Sequence, residues 1–399
     1  MNFEKAVLIN SFILHNFLLN EFYWNLSTSN QPFVKILLSM CMSCILMTHM
    51  TLVTEAQIIS NPLEDADTIS KKRENHIFSA RDKITIFIFS NRYINGLLFT
   101  NPGKNTYYFP IAPLNIGLGF SHKWLAVNVA IISPKIGKKN YDGEGNKYNN
   151  FNFQILAYTP RYGLDVIYSQ NIGYFLGNYK GYVNINGAPN KTPYFDMKTN
   201  RLTVNLLRVF NPTKYSMNAT MIGGERQKRS ASSPILNTTF SYNAFNMSDS
   251  IPSYVLSQMN QHAIYNGGAF YSIGLLPGYG FTWIIKKNFY LGLIPAFGPS
   301  FQYKVMNFDG YSEERFSVSY RLLAKAGMGF HAKRWTAGLT ILFDSEKYHL
   351  AESTNIINNN GRFTLRIGYK IDVPKWAKGV SKKLTKAQNR VENTVNQLL

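Results

Sequence analysis

The 399-residue sequence predicts an all-β protein: a closed antiparallel transmembrane β-barrel of about 12 strands, with 14 the alternative, followed by one C-terminal amphipathic helix. Three observations carry that prediction. Long segments alternate large apolar with small or polar residues, as strands with two unlike faces do. The composition is 15% aromatic and only 16% charged, with 28 Gly, favouring strands and turns. After residue 56, no continuous apolar run is long enough for a membrane helix, and a chain without such helices can satisfy its backbone in lipid only as a closed barrel.

In chain order, residues 35–56, KILLSMCMSCILMTHMTLVTEA, have the layout of a secretory signal peptide, with cleavage expected after Ala56. Residues 1–34 do not belong to that layout and are read as an upstream extension from a misplaced start, Val34 being the expected initiation site. A genuine extension or a transmembrane anchor at 36–53 is the alternative. Both cysteines, Cys41 and Cys44, fall in this leader, so the mature chain would carry neither thiol nor disulfide. A lipoprotein reading would use Cys44, which follows Ser43. Cleavage removes two Lys and three Glu and raises the formal net charge from +20 to +21. Residues 57–82 are expected to form a periplasmic N-terminal segment.

The barrel is expected over 83–372. In LNIGLGF, Leu114, Ile116, Leu118 and Phe120 oppose Asn115, Gly117 and Gly119. In YLGLIPAFGPSF, Leu291, Leu293, Phe297 and Phe301 oppose Gly292, Ala296, Gly298 and Ser300. In SVSYRLLAKAGMGFHAKRWTAGLTILFD, Val318, Tyr320, Leu322, Met328 and Phe330 oppose Ser319, Arg321, Lys325, Gly327 and Gly329. In a water-soluble sheet the polar face would carry many charges; here it carries glycines, so the large apolar parity is assigned to lipid and the small parity to the lumen. Short joins at 121–123, 159–161, 211–214, 286–287 and 331–334 are assigned to the periplasm, and longer polar joins to the outside. Trp124, Trp283, Trp335, Tyr158 and Tyr162 stand near the short joins, where an interfacial girdle belongs. Pattern matching yields 13 segments, including 215–226. An even number is required for both ends to lie in the periplasm, and the conflict is placed between 246 and 268.

Chemistry-bearing motifs are sparse. His76, His122, His262, His331 and His349 form no metal-binding pair, and His122 and His331 are expected in solvated turns. GGERQ lacks the ending of a phosphate loop. YDGEG offers Asp142 and Glu144 for a calcium ion but not the remaining ligands, and a plain turn is the simpler reading. No cofactor motif, catalytic residue or metal site is assigned. Arg321, Lys325, Arg362, Arg366 and Lys370 share the lumen parity. Either they form a basic wall selective for anions, or they pair with acidic groups of neighbouring strands or of a plug.

From Pro374 the period changes. Trp376, Val380, Leu384, Ala387, Val391, Val395 and Leu398 recur at threes and fours, a helical stripe that needs a partner: the membrane surface or another protein. The excess positive charge suits phosphorylated lipid head groups, lipopolysaccharide among them. Nucleic acid is excluded as a partner by the absence of a binding module and by the leader.

The phrases RVFNPTKYSMNATMIGGERQKRSASSPIL, DSIP and LLPGYGFTWIIKKNFYLGLIPAFGPSFQY, preceded by YYFPIAPLNIGLGFSHKWLAV, resemble in content and order the outer-membrane barrels of Bacteroidota grouped as domain of unknown function 4421. The resemblance covers about residues 75–372. It departs from the family at RSASSP, where a glycine is usual, and at IAP, where an Asn is expected. It implies an outer-membrane location and a barrel fold, and no chemistry.

Three roles therefore stand: a non-enzymatic structural or accessory barrel in an outer-membrane assembly; a pore or transporter for small anionic solutes; and an outer-membrane hydrolase acting on envelope lipid or peptide. In each, Sec-dependent export delivers the chain to the outer membrane of a Gram-negative bacterium.

Overall fold

The wall is assembled from neighbours in sequence, because each strand leaves one row of backbone groups for the next and a short turn brings it there. The computed structural model describes residues 72–79, 83–101, 104–110, 114–132, 149–178, 181–182, 192–247, 267–286, 288–307, 312–349 and 355–398. The expectations for 1–56, for the calcium reading at 141–145 and for His262 lie outside them.

Sixteen strands are described. The first half of the chain holds β1 (Ile77–Ser79), β2 (Lys83–Asn101), β3 (Lys104–Pro110), β4 (Asn115–His122), β5 (Leu125–Ile132), β6 (Asn149–Tyr158), β7 (Tyr162–Asn178), β8 (Gly181–Tyr182) and β9 (Thr192–Val209). The second holds β10 (Glu225–Gln227), β11 (Ala231–Met247), β12 (Gly267–Lys286), β13 (Phe289–Asn307), β14 (Ser312–His331), β15 (Trp335–His349) and β16 (Asn355–Asp372). A short helix α1 (Met217–Met221) sits between β9 and β10, and α2 (Lys378–Leu398) ends the chain.

Twelve of these strands, β2, β4, β5, β6, β7, β9 and β11 to β16, form an antiparallel ring. It closes where β16 pairs with β2 over Asp372↔Lys83 to Asn355↔Thr100. The ring is stepped. The strands β4, β5 and β6 have only 8, 8 and 10 residues, whereas β12, β13 and β14 have 20, 19 and 20. Beyond the ends of the three short strands, β3 pairs with β2 on one side and β7 on the other, so the ring narrows there from twelve strands to ten. About 9 to 11 residues cross a bilayer, so the long strands continue past the membrane at the end away from the short turns.

Burial follows the alternation. Leu118, Phe120, Phe297, Val318, Met328, Trp335, Leu365 and Ile367 are exposed on the outer face, while Arg321, Leu323, Lys325 and Thr336 of the opposite parity are buried. The exposed band ends in aromatic contacts near the short turns: Phe289 lies 4.9 Å from Phe330, and Trp335 lies 4.9 Å from Tyr369. Tyr158 is a correction to the expected girdle. It is 2% exposed and points inward, because its position shares the parity of Asn152, Gln154 and Leu156.

Two further expectations change. The surplus crossing is not between 246 and 268, where β11 and β12 are joined and paired from Asn246↔Gly267 onward. It is 215–226, which forms α1 and β10 instead of a wall strand. The polar stretch at 345–360, expected as a loop, contains the ends of β15 and β16, paired from Ser345↔Asn359 to His349↔Asn355. Their Asn, Ser and Glu residues are tolerated because that end of the hairpin stands beyond the apolar band.

Candidate functional site

The connection from β9 to β11 turns back into the barrel and fills its lower lumen. Asn211 fixes the turn, its backbone N–H donating to Ser233 Oγ at 2.8 Å and its Nδ2 to the Ser232 carbonyl at 3.1 Å. Ser216 then caps α1 by accepting from the Ala219 N–H at 3.0 Å. All five residues of α1 are buried, which a five-residue helix requires of its surroundings because it cannot stand alone. Gly223, at φ +80°, turns the chain out of the helix in the left-handed region.

Polar groups of this plug reach the wall on several sides. Asn218 donates to the Lys123 carbonyl at 2.9 Å, and Thr220 Oγ1 lies 2.9 Å from Thr282 Oγ1. Tyr290 donates to the Thr220 carbonyl at 3.3 Å, and Arg366 Nη1 to the Met221 carbonyl at 2.6 Å. The apolar parity, Tyr215, Met217 and Met221, packs with Leu156, Tyr158, Leu207, Val209, Ile235 and Ile294 of the wall. Two wall glycines make room for Thr220. A Cβ on Gly292 would meet Thr220 Cγ2 at 2.2 Å, and one on Gly327 would meet the Thr220 carbonyl oxygen at 2.8 Å.

The N-terminal segment holds the plug at the end of the barrel that carries the short turns. In β1 and β10, Ile77 pairs with Gln227 and Ser79 with Glu225. Arg73 donates to Glu225 at 2.6 Å and to the Pro212 carbonyl, and Glu225 also accepts from Ser216 at 2.5 Å.

Above the plug, a charge network crosses the lumen. Arg321 makes a bidentate pair with Asp344, at 2.8 and 2.6 Å, and its Nη1 lies 3.2 Å from Glu346. Arg201 bonds to the same Asp344 from across the lumen. Glu346 also accepts from Ser300 at 2.5 Å, Gln302 at 3.3 Å and Tyr348 at 2.7 Å. Lys325 pairs with Asp165 of β7. Burying these cations without partners would be prohibitive, and the carboxylates supply the compensation.

The five basic positions of the expected wall therefore occupy different surroundings. Arg321 and Lys325 are bound to carboxylates, Arg366 holds the plug, Lys370 is 8% exposed, and Arg362 lines cavities in the lumen. Sequence reading missed the carboxylate partners Asp165, Asp344 and Glu346. The usable signal was parity: Asp344 shares the inward set of its strand with Thr336, Gly338 and Thr340.

Small cavities lie among the described residues of the lumen. Three, lined in turn by Tyr174 and Tyr348, by Arg201 and Asp344, and by Lys325 and Arg366, each have a cavity volume of about 30 Å³. That is room for two or three waters.

The two turn histidines correct the expectation of solvated side chains. His331 is 1% exposed, stacks on Tyr290 with ring centroids 4.9 Å apart, and approaches Thr336 Oγ1 at 3.1 Å and the Ala219 carbonyl at 3.3 Å. His122 is 6% exposed, between the Lys83 carbonyl and Ser381 Oγ, each at 2.9 Å. The plug and α2 cover turns that would otherwise face water. Among the described residues, no group of three or more His, Cys, Asp or Glu is placed to hold a metal ion, and no helix is long and apolar enough to cross a membrane.

The model of the family described as domain of unknown function 4421 matches residues 66–370. No curated protein matches in sequence. Among solved structures, the chain is similar to the translocator domain of the autotransporter NalP from Neisseria meningitidis, at 8% identity over 82% of this chain and 97% of that one, with a TM-score of 0.32. For the β domain of the Bordetella autotransporter BrkA the figures are 12%, 71%, 98% and 0.28. For the Pseudomonas putida toluene transporter TodX they are 8%, 79%, 94% and 0.22. These likenesses carry nothing about function.

Proposed function

We propose, for a chain that belongs to the family described as domain of unknown function 4421, a non-enzymatic, plugged outer-membrane barrel that serves as a structural or accessory component of an envelope assembly. The carrying observation is the plug: α1 is buried in the lower lumen and bonded to β4–β5, β12, β13 and β16 of the wall. A barrel used for steady diffusion leaves its lumen open, whereas here four hydrogen-bonded contacts tie the plug to the wall. Export through the Sec route, with removal of residues 1–56, is part of this proposal. The intact mass of the mature protein tests it, with Gln57 expected as the first residue.

Planar-bilayer recording tests the closed lumen. The purified protein is expected to be electrically silent, and a steady open state would overturn the reading. A second reading, passage of small anions after the plug moves, draws on Arg362 and Arg366, which line the cavity next to Met221. Replacing residues 215–224 by a short Gly-Ser turn separates the two readings. An anion-selective current in that variant alone would show that the path exists behind the plug, and silence would remove the transport reading.

A further inference from the structure

The C-terminal helix is clamped to the barrel by one face, while Trp376, Val380 and Ala387 of its apolar stripe stand exposed. The clamp is the β4–β5 turn: His122 Nε2 lies 2.9 Å from Ser381 Oγ, Lys123 donates to the Ser381 carbonyl at 2.7 Å and to Thr385 Oγ1, and Trp124 Nε1 donates to the Leu384 carbonyl at 3.1 Å. Lys123 has φ 55°, a left-handed conformation suited to the tight two-residue turn that presents these three side chains together. Ser381, Leu384 and Thr385, which bond to them, are half-buried, and Gln388 one turn on is half-buried as well.

Successive residues of an α-helix advance by about 100°, so Val380 and Ala387 lie on a neighbouring face, beside the clamp and not under it, and Trp376 belongs to the 3-10 turn Lys375–Ala377 that leads into α2. Trp376 is 82% exposed and Val380 57% exposed, and Ala387 is exposed as well. The far flank is basic: Lys378, Lys382, Lys383, Lys386 and Arg390 are exposed there. The residues that hold the helix belong to a short turn joining two wall strands whose outer faces, Leu118 and Phe120 among them, are apolar and exposed. Clamping thus fixes the apolar stripe at the edge of the lipid-facing band, with a cationic flank beside it.

We propose that α2 lies in the phospholipid surface of the periplasmic leaflet, with Trp376, Val380 and Ala387 among the acyl chains and the basic flank at the phosphates. The proposal rests on the barrel reading. Three things commit it to lipid: continuity with the apolar band, a Trp at the start of the stripe, and cations on the side away from the barrel. Membrane-surface helices have this layout. The stripe of a helix docked on its own barrel would instead be covered by the wall, and here the wall is met by Ser381, Thr385 and, of the stripe's described residues, Leu384 alone, while Trp376, Val380 and Ala387 are exposed.

The test uses full-length protein, with Cys41 and Cys44 replaced by Ser, reconstituted in bilayers containing phosphatidylglycerol. A nitroxide is attached singly at Val380→Cys, Ala387→Cys, Lys383→Cys or Leu365→Cys, and its collisions with oxygen and with a water-soluble nickel chelate are measured. Labels at 380 and 387 are expected to collide several-fold less with nickel than the label at 383, and more with oxygen. Equal nickel access at 380 and 383 would overturn the proposal. Shielding of 380 and 387 from both agents would overturn it too, showing a protein partner or a second copy over the stripe. The label at Leu365, on the outer wall, distinguishes the failures: if it is open to nickel the barrel reading itself fails, and if it reports lipid only the placement of the helix does.

Discussion

Arg366, on the last wall strand, donates a hydrogen bond of 2.6 Å to the carbonyl oxygen of Met221, 145 residues earlier in the chain. The bond joins the strand that closes the barrel to the end of the plug helix. A charged donor on a carbonyl left free at a helix C-terminus satisfies that carbonyl where water has little access.

Arg366→Leu is expected to leave that carbonyl without its donor and to cost about 1–3 kcal/mol. The readout is the urea midpoint of the folded, heat-modifiable band, which should fall. An unchanged midpoint would show that the plug does not depend on this contact.

Asp344 neutralises two buried guanidinium groups at once. Asp344→Ala leaves Arg201 and Arg321 facing each other and is expected to lose about 3–5 kcal/mol. Asp344→Leu combined with Arg321→Met should be less harmful than the sum of the two single changes, because the double change removes a charge of each sign. Additive losses in the same urea titration would rule out the pairing.

Among the described glycines of the wall, Gly292 leaves the least room against the plug, with Thr220 Cγ2 in the way of any side chain. Gly292→Ala should raise brief current openings in planar bilayers above those of the parent protein. Thr220→Ala in the same chain removes the obstructing methyl group and should restore silence. Openings that persist in the double variant would place the leak elsewhere.

Leu365 is 56% exposed on the outer face of β16. Leu365→Arg, facing acyl chains, is expected to lower stability by about 2–4 kcal/mol if it lies near the midplane. A neutral outcome, or recovery of the protein in the soluble fraction, would argue for a water-facing sheet.

The clamp on the C-terminal helix is separable from the barrel. His122→Ala with Lys123→Ala should release residues 378–398 to limited trypsin digestion while leaving heat-modifiable migration unchanged. Protection equal to the parent's would show that the helix is held by something other than this turn.

The alternation in RLLAKAGMGFHAKRWTAGLTILFD was enough to assign its two faces, because a strand's period of two leaves its residues only two directions. The same rule misread 215–226. There Tyr215, Met217, Ala219 and Met221 alternate with Ser216, Asn218, Thr220 and Ile222, the pattern of a wall strand. In the barrel both sets are buried, the first against wall side chains and the second partly through hydrogen bonds to wall and plug groups. The only local cue was the Gly223–Gly224 pair, which suits a chain reversal better than a strand interior.

By itself, then, the sequence determined most of the wall strands, their two faces and the terminal helix, since each follows from periodicity within a short window, and it set the wall at about twelve strands with fourteen open, since a barrel with both ends on one side needs an even number. Only the tertiary structure decided that the basic residues of the lumen are partly spent on Asp165, Asp344 and Glu346, that the β9–β11 connection returns as a plug, and that α2 is clamped by His122, Lys123 and Trp124. Those outcomes depend on which inward side chains meet across the lumen or at its rim. Arg321 meets Asp344 and Glu346 across one hairpin, but Arg201 and Asp344, Lys325 and Asp165, Arg366 and Met221, and His122 and Ser381 are more than a hundred positions apart and are brought together only when the ring closes, which no local pattern encodes.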